Sequence, residues 1–113
     1  MKTIIAGGRD ITDYSLVLIA VKRANFDITE VVSGGATGVD TLALKFAVDA
    51  ELPNKVFKAD WGKYQHAAGP IRNRQMAEYA DALIVIWDGR SKGTENMIYE
   101  AKRRGLKVYI QLT

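Results

Sequence analysis

Ser33-Gly34-Gly35-Ala36-Thr37-Gly38-Val39-Asp40 places three glycines within five residues, between a β-branched run and an apolar-periodic stretch. Glycines at this density allow a tight turn and close approach of backbone to another molecule. At a helix start the free N–H groups and the positive end of the dipole suit an anion such as phosphate. Gly7-Gly8-Arg9-Asp10 is a second loop of this kind. Gly7, Gly8, Gly34, Gly35 and Gly38 could cradle phosphate or ribose through their N–H groups, or serve close packing of helix on sheet. Arg72 follows Pro70, in what reads as the first turn of a helix. A cation there opposes the dipole, so it points to an outside partner such as a phosphate or carboxylate.

Other candidates share the same type of loop. Thr94, after Gly93, reads as a helix cap that leaves the N–H groups of Glu95, Asn96 and Met97 free for a second anion. Asp10, Asp40, Asp60 and Asp88 suit general bases, ribose-hydroxyl acceptors or metal ligands, and equally helix caps or turn-formers. Trp61, Tyr64 and Trp87 could stack on a base or close over a ligand. Arg9 and Arg90 read individually as surface charges or loop clamps. His66 is the only histidine and there is no cysteine, so thiolate or histidine-rich metal sites and disulfides are excluded. No metal and no cofactor is expected.

These residues need elements to hold them. Lys2 to Ala6, Thr29 to Val32, Asn54 to Lys58, Ala82 to Trp87 and Leu106 to Leu112 read as strands, with Ala82 to Trp87 the most apolar and the expected sheet centre. Helices are expected between them. The first is capped by Asp10 or Thr12, with a stripe of Tyr14, Val17, Leu18 and Val21. The second has the face Val39, Leu42, Ala43, Phe46, Ala47 and Ala50 and is stopped by Pro53. The third runs from Pro70 to Ala80, and the fourth from Thr94 to Arg104 with Gly105 after its end. Ala59 to Gly69 is the one long loop. Strict alternation implies a single-domain, three-layer, Rossmann-like α/β fold over residues 1–113, with a parallel five-stranded sheet in order 3-2-1-4-5 and helices on both faces. Ligands of such sheets bind beyond the carboxyl ends of the strands, which is where all four candidate loops fall.

The chain has 113 residues, 48% hydrophobic and 26% charged, with net charge +3. That is ordinary globular composition, with a mild basic excess that suits anionic ligands and is too small to argue nucleic acid. No apolar run approaches the roughly 20 residues that span a membrane, and no signal peptide is visible. The expectation is a cytoplasmic protein with no membrane partner.

Laid out in order, Gly7 to Asp10, Ser33 to Asp40, Ala59-Asp60-Trp61, Ala68-Gly69-Pro70-Ile71-Arg72-Asn73 and Trp87 to Thr94 resemble the small YspA/cpYpsA-related branch of the SLOG superfamily, over nearly the whole chain. The resemblance implies a Rossmann-like fold and binding of nucleotides or nucleotide-derived ligands, in several relatives as signals in conflict or defence systems. It also implies self-association, here as a homodimer. The site it implies comprises Gly7, Gly8, Arg9, Asp10, Ser33, Gly34, Gly35, Gly38, Asp40, Trp61, Arg72, Asn73, Gly93 and Thr94. The related LOG phosphoribohydrolases release a base from a nucleoside monophosphate. Arg72-Asn73-Arg74-Gln75-Met76 is similar to their arginine-lysine-x-x-methionine helix start, and Ser91-Lys92-Gly93-Thr94 to their glycine-threonine loop. Their paired glutamates are not reproduced, since Glu95-Asn96-Met97 follows Thr94 and only Glu95 or Glu100 could substitute. The expected function is a nucleotide-binding sensor or sequestering module. The alternative is nucleotide N-glycosidic hydrolysis using Arg72, Asp88 or Glu95. Single-stranded DNA binding, as in DNA-processing protein A, ranks below both because no basic run with interleaved aromatics occurs.

Overall fold

Ile4, Ile5 and Ala6 are apolar and the Thr3 hydroxyl donates to the Met1 carbonyl at 3.3 Å, so all four can be buried in the middle of β1 (Lys2–Gly7), the central strand. The computed structural model describes residues 1–113. The remaining strands are β2 (Glu30–Ser33), β3 (Asn54–Val56), β4 (Ala82–Trp87) and β5 (Lys107–Leu112). All pair in parallel, in the order β3-β2-β1-β4-β5, as the alternation of elements implies. β4 is buried along nearly its whole length, but it lies beside the centre rather than at it.

Side chains alternate between the faces of a strand, so each strand feeds two cores. Ile5, Ile84 and Ile86 pack with Val17, Ala20, Val39, Ala43 and Ala47 on one face. Ile4, Leu83 and Val85 pack with Met76, Ala77, Met97 and Ala101 on the other. The first face is covered by α1 (Tyr14–Ala24) and α2 (Val39–Asp49), the second by α4 (Ala68–Tyr79) and α5 (Lys92–Arg103). In α1 the buried stripe is Val17 and Ala20, while Leu18 faces water. In α2 it is Val39, Ala43 and Ala47, and Ala50 lies beyond the helix end.

β2 and β5 each start one residue later than expected, and β3 ends at Val56 rather than Lys58. The helix starts differ from the sequence-based expectation at four points, each for a local reason. Asp13, not Asp10 or Thr12, caps α1 by accepting the Ser15 N–H at 3.0 Å. The expected long loop is largely helical. Asp60 caps a single turn, α3 (Trp61–Tyr64), and a 3-10 turn over Gln65–Ala67 runs into α4. α4 therefore starts at Ala68, and Pro70 is its third residue, still within the stretch that has no N–H partner to lose. Ser91, not Thr94, caps α5, which begins at Lys92. No helix is long and apolar enough to cross a membrane.

Candidate functional site

The chain leaves β1 toward β2 on one side and reaches β4 on the other, so the ends of β1 and β4 part where the strand order reverses. Such a switch point leaves a crevice beyond the strand ends. A cleft of about 690 Å³ lies here, between the Gly7–Ile11 loop after β1 and the Asp88–Lys92 loop after β4. That volume is within the range of small-molecule sites. Ala6, Met76 and Met97 are among its apolar lining, and Arg9, Arg72, Arg90 and Lys92 line it together with Asp10, Asp40 and Asp88. Cations outnumber carboxylates by four to three.

Arg72 is the most constrained of these. It is the fifth residue of α4, not in the first turn, so the dipole argument for it does not hold. Its placement rests on tertiary bonds instead. Nη1 donates to the Gly34 carbonyl at 2.7 Å, and Nε donates to Asn73 Oδ1 at 3.1 Å. Burial works against its charge, Asp40 supports it, and Arg9 opposes it. Buried Asn73 carries the chain of bonds onward, donating from Nδ2 to Asn96 Oδ1 at 2.9 Å and to the Gly93 carbonyl at 3.3 Å. One hydrogen-bonded line thus joins the glycine loop before α2, the side of α4 and the start of α5. The guanidinium is held rigidly with its second terminal nitrogen, Nη2, uncommitted.

Asp40 is buried in the wall beside it. Its Oδ2 accepts the Ala36 N–H at 3.1 Å. Burial raises its pKa, and the Ala36 N–H, Arg72 and Arg9 pull in the opposite direction without prevailing. Asp88 is the reverse case: exposed, with Oδ1 accepting the N–H groups of Arg90 and Ser91, each at 2.8 Å, so that its pKa is lowered. It is a turn-former facing the cleft and a weak base.

At the start of α5, Ser91 Oγ accepts from the Thr94 N–H and the Thr94 hydroxyl, and the Ser91 carbonyl accepts from the Glu95 N–H and Trp87 Nε1. The N–H groups without an intrahelical partner are therefore those of Lys92 and Gly93, both on the cleft, rather than those of Glu95, Asn96 and Met97. Trp61 stands half-exposed at the rim with the Arg9 guanidinium 5.9 Å from its ring centre. That leaves an aromatic face for a flat ligand.

Of the sequence candidates, Gly7, Gly8, Arg9, Asp10, Asp40 and Trp61 come together at this cleft with Arg72, Asn73, Asp88, Gly93 and Thr94. Ser33, Gly34, Gly35, Gly38 and Glu95 do not line it. The glycine loop is braced from within: Ser33 Oγ accepts the Gly35 N–H at 3.2 Å, and the Gly8 carbonyl accepts the Val39 N–H at 3.2 Å. Glu95 is exposed outside the cleft, and Glu100 is buried without a hydrogen bond at Oε1, which lies 3.7 Å from Arg103 Nη1. Trp87 lies against the core under α4 and α5. Ile11 also lines the cleft without having been singled out in the sequence, and Ser91, Lys92, Met76, Asn96 and Met97 line it although the sequence marked them only as members of a motif or as backbone donors. Only Ser91 carried a local signal, a serine three residues ahead of a helix-turn threonine. The two methionines look like any core periodicity.

Two loop glycines separate packing from binding. Gly38 has φ +73°, and a Cβ there would stand 2.5 Å from the Arg9 carbonyl. Gly38→Ala is expected to lose about 2–3 kcal/mol in urea unfolding. Gly93 has nothing within 4 Å of an added Cβ. Gly93→Ala should leave the urea midpoint unchanged or slightly raised and weaken ligands that reach the α5 N-terminus. A stability loss at Gly93 equal to that at Gly38 would contradict this assignment.

Comparison with known proteins agrees with the architecture. A sequence model described as the YspA, cpYpsA-related SLOG family matches residues 1–64. The fold is similar to the crystal structure of DNA processing protein A from Streptococcus pneumoniae, with TM-score 0.71 and 19% identity, covering 96% of this chain and 49% of that one. The chain thus spans about half the length of that protein. A weaker likeness, with TM-score 0.47 and 15% identity, covers 100% of this chain and 69% of a structure described as a predicted subunit of tRNA methyltransferase from Methanocaldococcus jannaschii. No curated protein matches.

Proposed function

The chain belongs to the YspA, cpYpsA-related SLOG family, and from that premise we propose that it binds a nucleotide or nucleotide-derived ligand in the switch-point cleft, as a sensor or sequestering module. The observation that carries this reading is Arg72. Its guanidinium is fixed by bonds to Gly34 and Asn73 with Nη2 left over, which suits a charge-assisted bond to phosphate. The open N–H groups of Lys92 and Gly93 add a second set of donors, and Trp61 offers a stacking surface for a base. Asp10 at the rim suits a ribose hydroxyl.

Hydrolysis of the N-glycosidic bond is the alternative. It needs a carboxylate placed to activate water or to stabilise an oxocarbenium-like centre. Asp88 is the one hydrolytic candidate carboxylate on the cleft, and its backbone bonds make it a weak base. Titration calorimetry with AMP, cyclic AMP and NAD, combined with chromatography for free base, tests both readings. The expected result is binding of at least one of the three with no base released. Absence of binding by all three would defeat the proposal. Base release lost in Asp88→Asn would establish the hydrolase instead.

A further inference from the structure

Beside the main cleft is a smaller hollow of about 220 Å³, and Arg72 belongs to the walls of both. α3 stands between them, with Trp61 on the main cleft and Lys63 and Tyr64 on the hollow. The hollow's charge is unbalanced. Lys58, Lys63 and Arg72 face a single carboxylate, Asp60, which already accepts the Lys63 N–H at 3.0 Å as the cap of α3. Neither lysine is in an ion pair, the three pairs of the fold being Lys45–Asp49, Arg103–Glu100 and Arg104–Glu78. Lys63 Nζ lies 5.1 Å from the centre of the Tyr64 ring.

The glycine loop, which lines the main cleft through Ala36 and Asp40, also touches two residues of the hollow's wall. The Gly34 carbonyl is held by Arg72, and a Cβ at Gly35 would stand 3.6 Å from Lys58 Cγ. A concave, uncompensated cationic surface concentrates anions. The hollow is smaller than the roughly 300 Å³ at which small-molecule sites begin, so it suits one group of a ligand rather than a whole one. Each hollow also presents one aromatic ring, since Trp61 and Tyr64 lie three residues apart on one helical turn.

We propose that this hollow is a second anion subsite, continuous with the main cleft across Arg72, so that the chain takes a small dinucleotide carrying two separated phosphates rather than a mononucleotide. The inference rests on the nucleotide reading of the main cleft. One phosphate meets Arg72 with its base on Trp61, and the second meets Lys58 and Lys63 with its base toward Tyr64.

Calorimetry on the full chain and on the Lys58→Ala/Lys63→Ala variant, with AMP, the 5′-phosphorylated dinucleotide pApA and a twelve-residue adenylate strand, tests it. Both lysines are exposed, so the variant should fold as the parent does. The expected result is pApA binding about tenfold or more tightly than AMP, with that gain lost in the variant and AMP affinity unchanged. Equal affinity for AMP and pApA in the parent, or an equal loss of both in the variant, would overturn the second subsite alone. No binding of either by the parent would remove the nucleotide reading with it. A twelve-residue strand binding about 100-fold more tightly than pApA would overturn the small-ligand claim in favour of single-stranded nucleic acid.

Discussion

Replacing Arg72 with alanine is expected to remove affinity and stability together. The guanidinium bonds the Gly34 carbonyl and Asn73, and it supplies the nearest cationic support to buried Asp40. Loss of a charged hydrogen bond, with an acceptor and a carboxylate left short of partners, should lower unfolding free energy by about 2–4 kcal/mol. AMP affinity should fall by about 100-fold, since the one fixed cation of the cleft is gone. Arg72→Lys separates the two effects. A lysine restores charge beside Asp40 and can reach one acceptor, but not a carbonyl, Asn73 and a phosphate at once. Stability should recover by roughly half in urea unfolding, while AMP remains about tenfold weaker than in the parent. Full recovery of AMP affinity in Arg72→Lys would mean that charge alone matters and that the fork geometry has no role.

Arg72 also shows how far the sequence could be read. It stood out because a cation near a helix start contradicts the dipole, yet α4 begins two residues before Pro70 and the contradiction disappears. The residue matters for a reason no local pattern contains. Thirty-eight positions separate it from the carbonyl it holds. The strands were legible because β-branched and apolar runs buried on both faces have few alternatives, and alternation with helices then leaves one sheet order. The loops after β1 and β4 could be placed on the same edge from topology alone, which is why Gly7, Gly8, Arg9, Asp10 and Asp88 meet there. The glycine loop was harder. Glycines that admit a ligand and glycines that admit a neighbouring carbonyl have the same sequence signature, and Gly38 is of the second kind. The short turns over Trp61–Ala67 escaped because two brief turns have no periodicity to detect.

Asp40 carries the last expected result, and its sign runs against the usual one for a carboxylate. An acid in the first turn of a helix ordinarily gains from the dipole. Here burial dominates and the folded-state pKa lies above the unfolded one, even with Ala36, Arg72 and Arg9 favouring the ionised form. The folded chain therefore takes up this proton at a higher pH than the unfolded chain does. The ionised carboxylate is a net destabilising group at neutral pH, and its contribution improves as pH falls through the folded pKa toward the unfolded value near 4. Asp40→Asn keeps an acceptor for the Ala36 N–H while removing the charge. It should raise the urea midpoint at pH 7, with the advantage over the parent shrinking as the measurement moves toward pH 4. Asp40→Ala removes the acceptor too, and should fall below Asp40→Asn by about 1 kcal/mol. The carboxylate stands beside the Arg72 guanidinium at the cleft. It opposes any anion that approaches Arg72, so AMP should bind Asp40→Asn more tightly than the parent at pH 7. Weaker binding to Asp40→Asn would show instead that the carboxylate accepts a hydrogen bond from the ligand. An Asp40→Asn chain no more stable than the parent at pH 7 would show that Arg72 and the Ala36 N–H offset the burial of this charge in full.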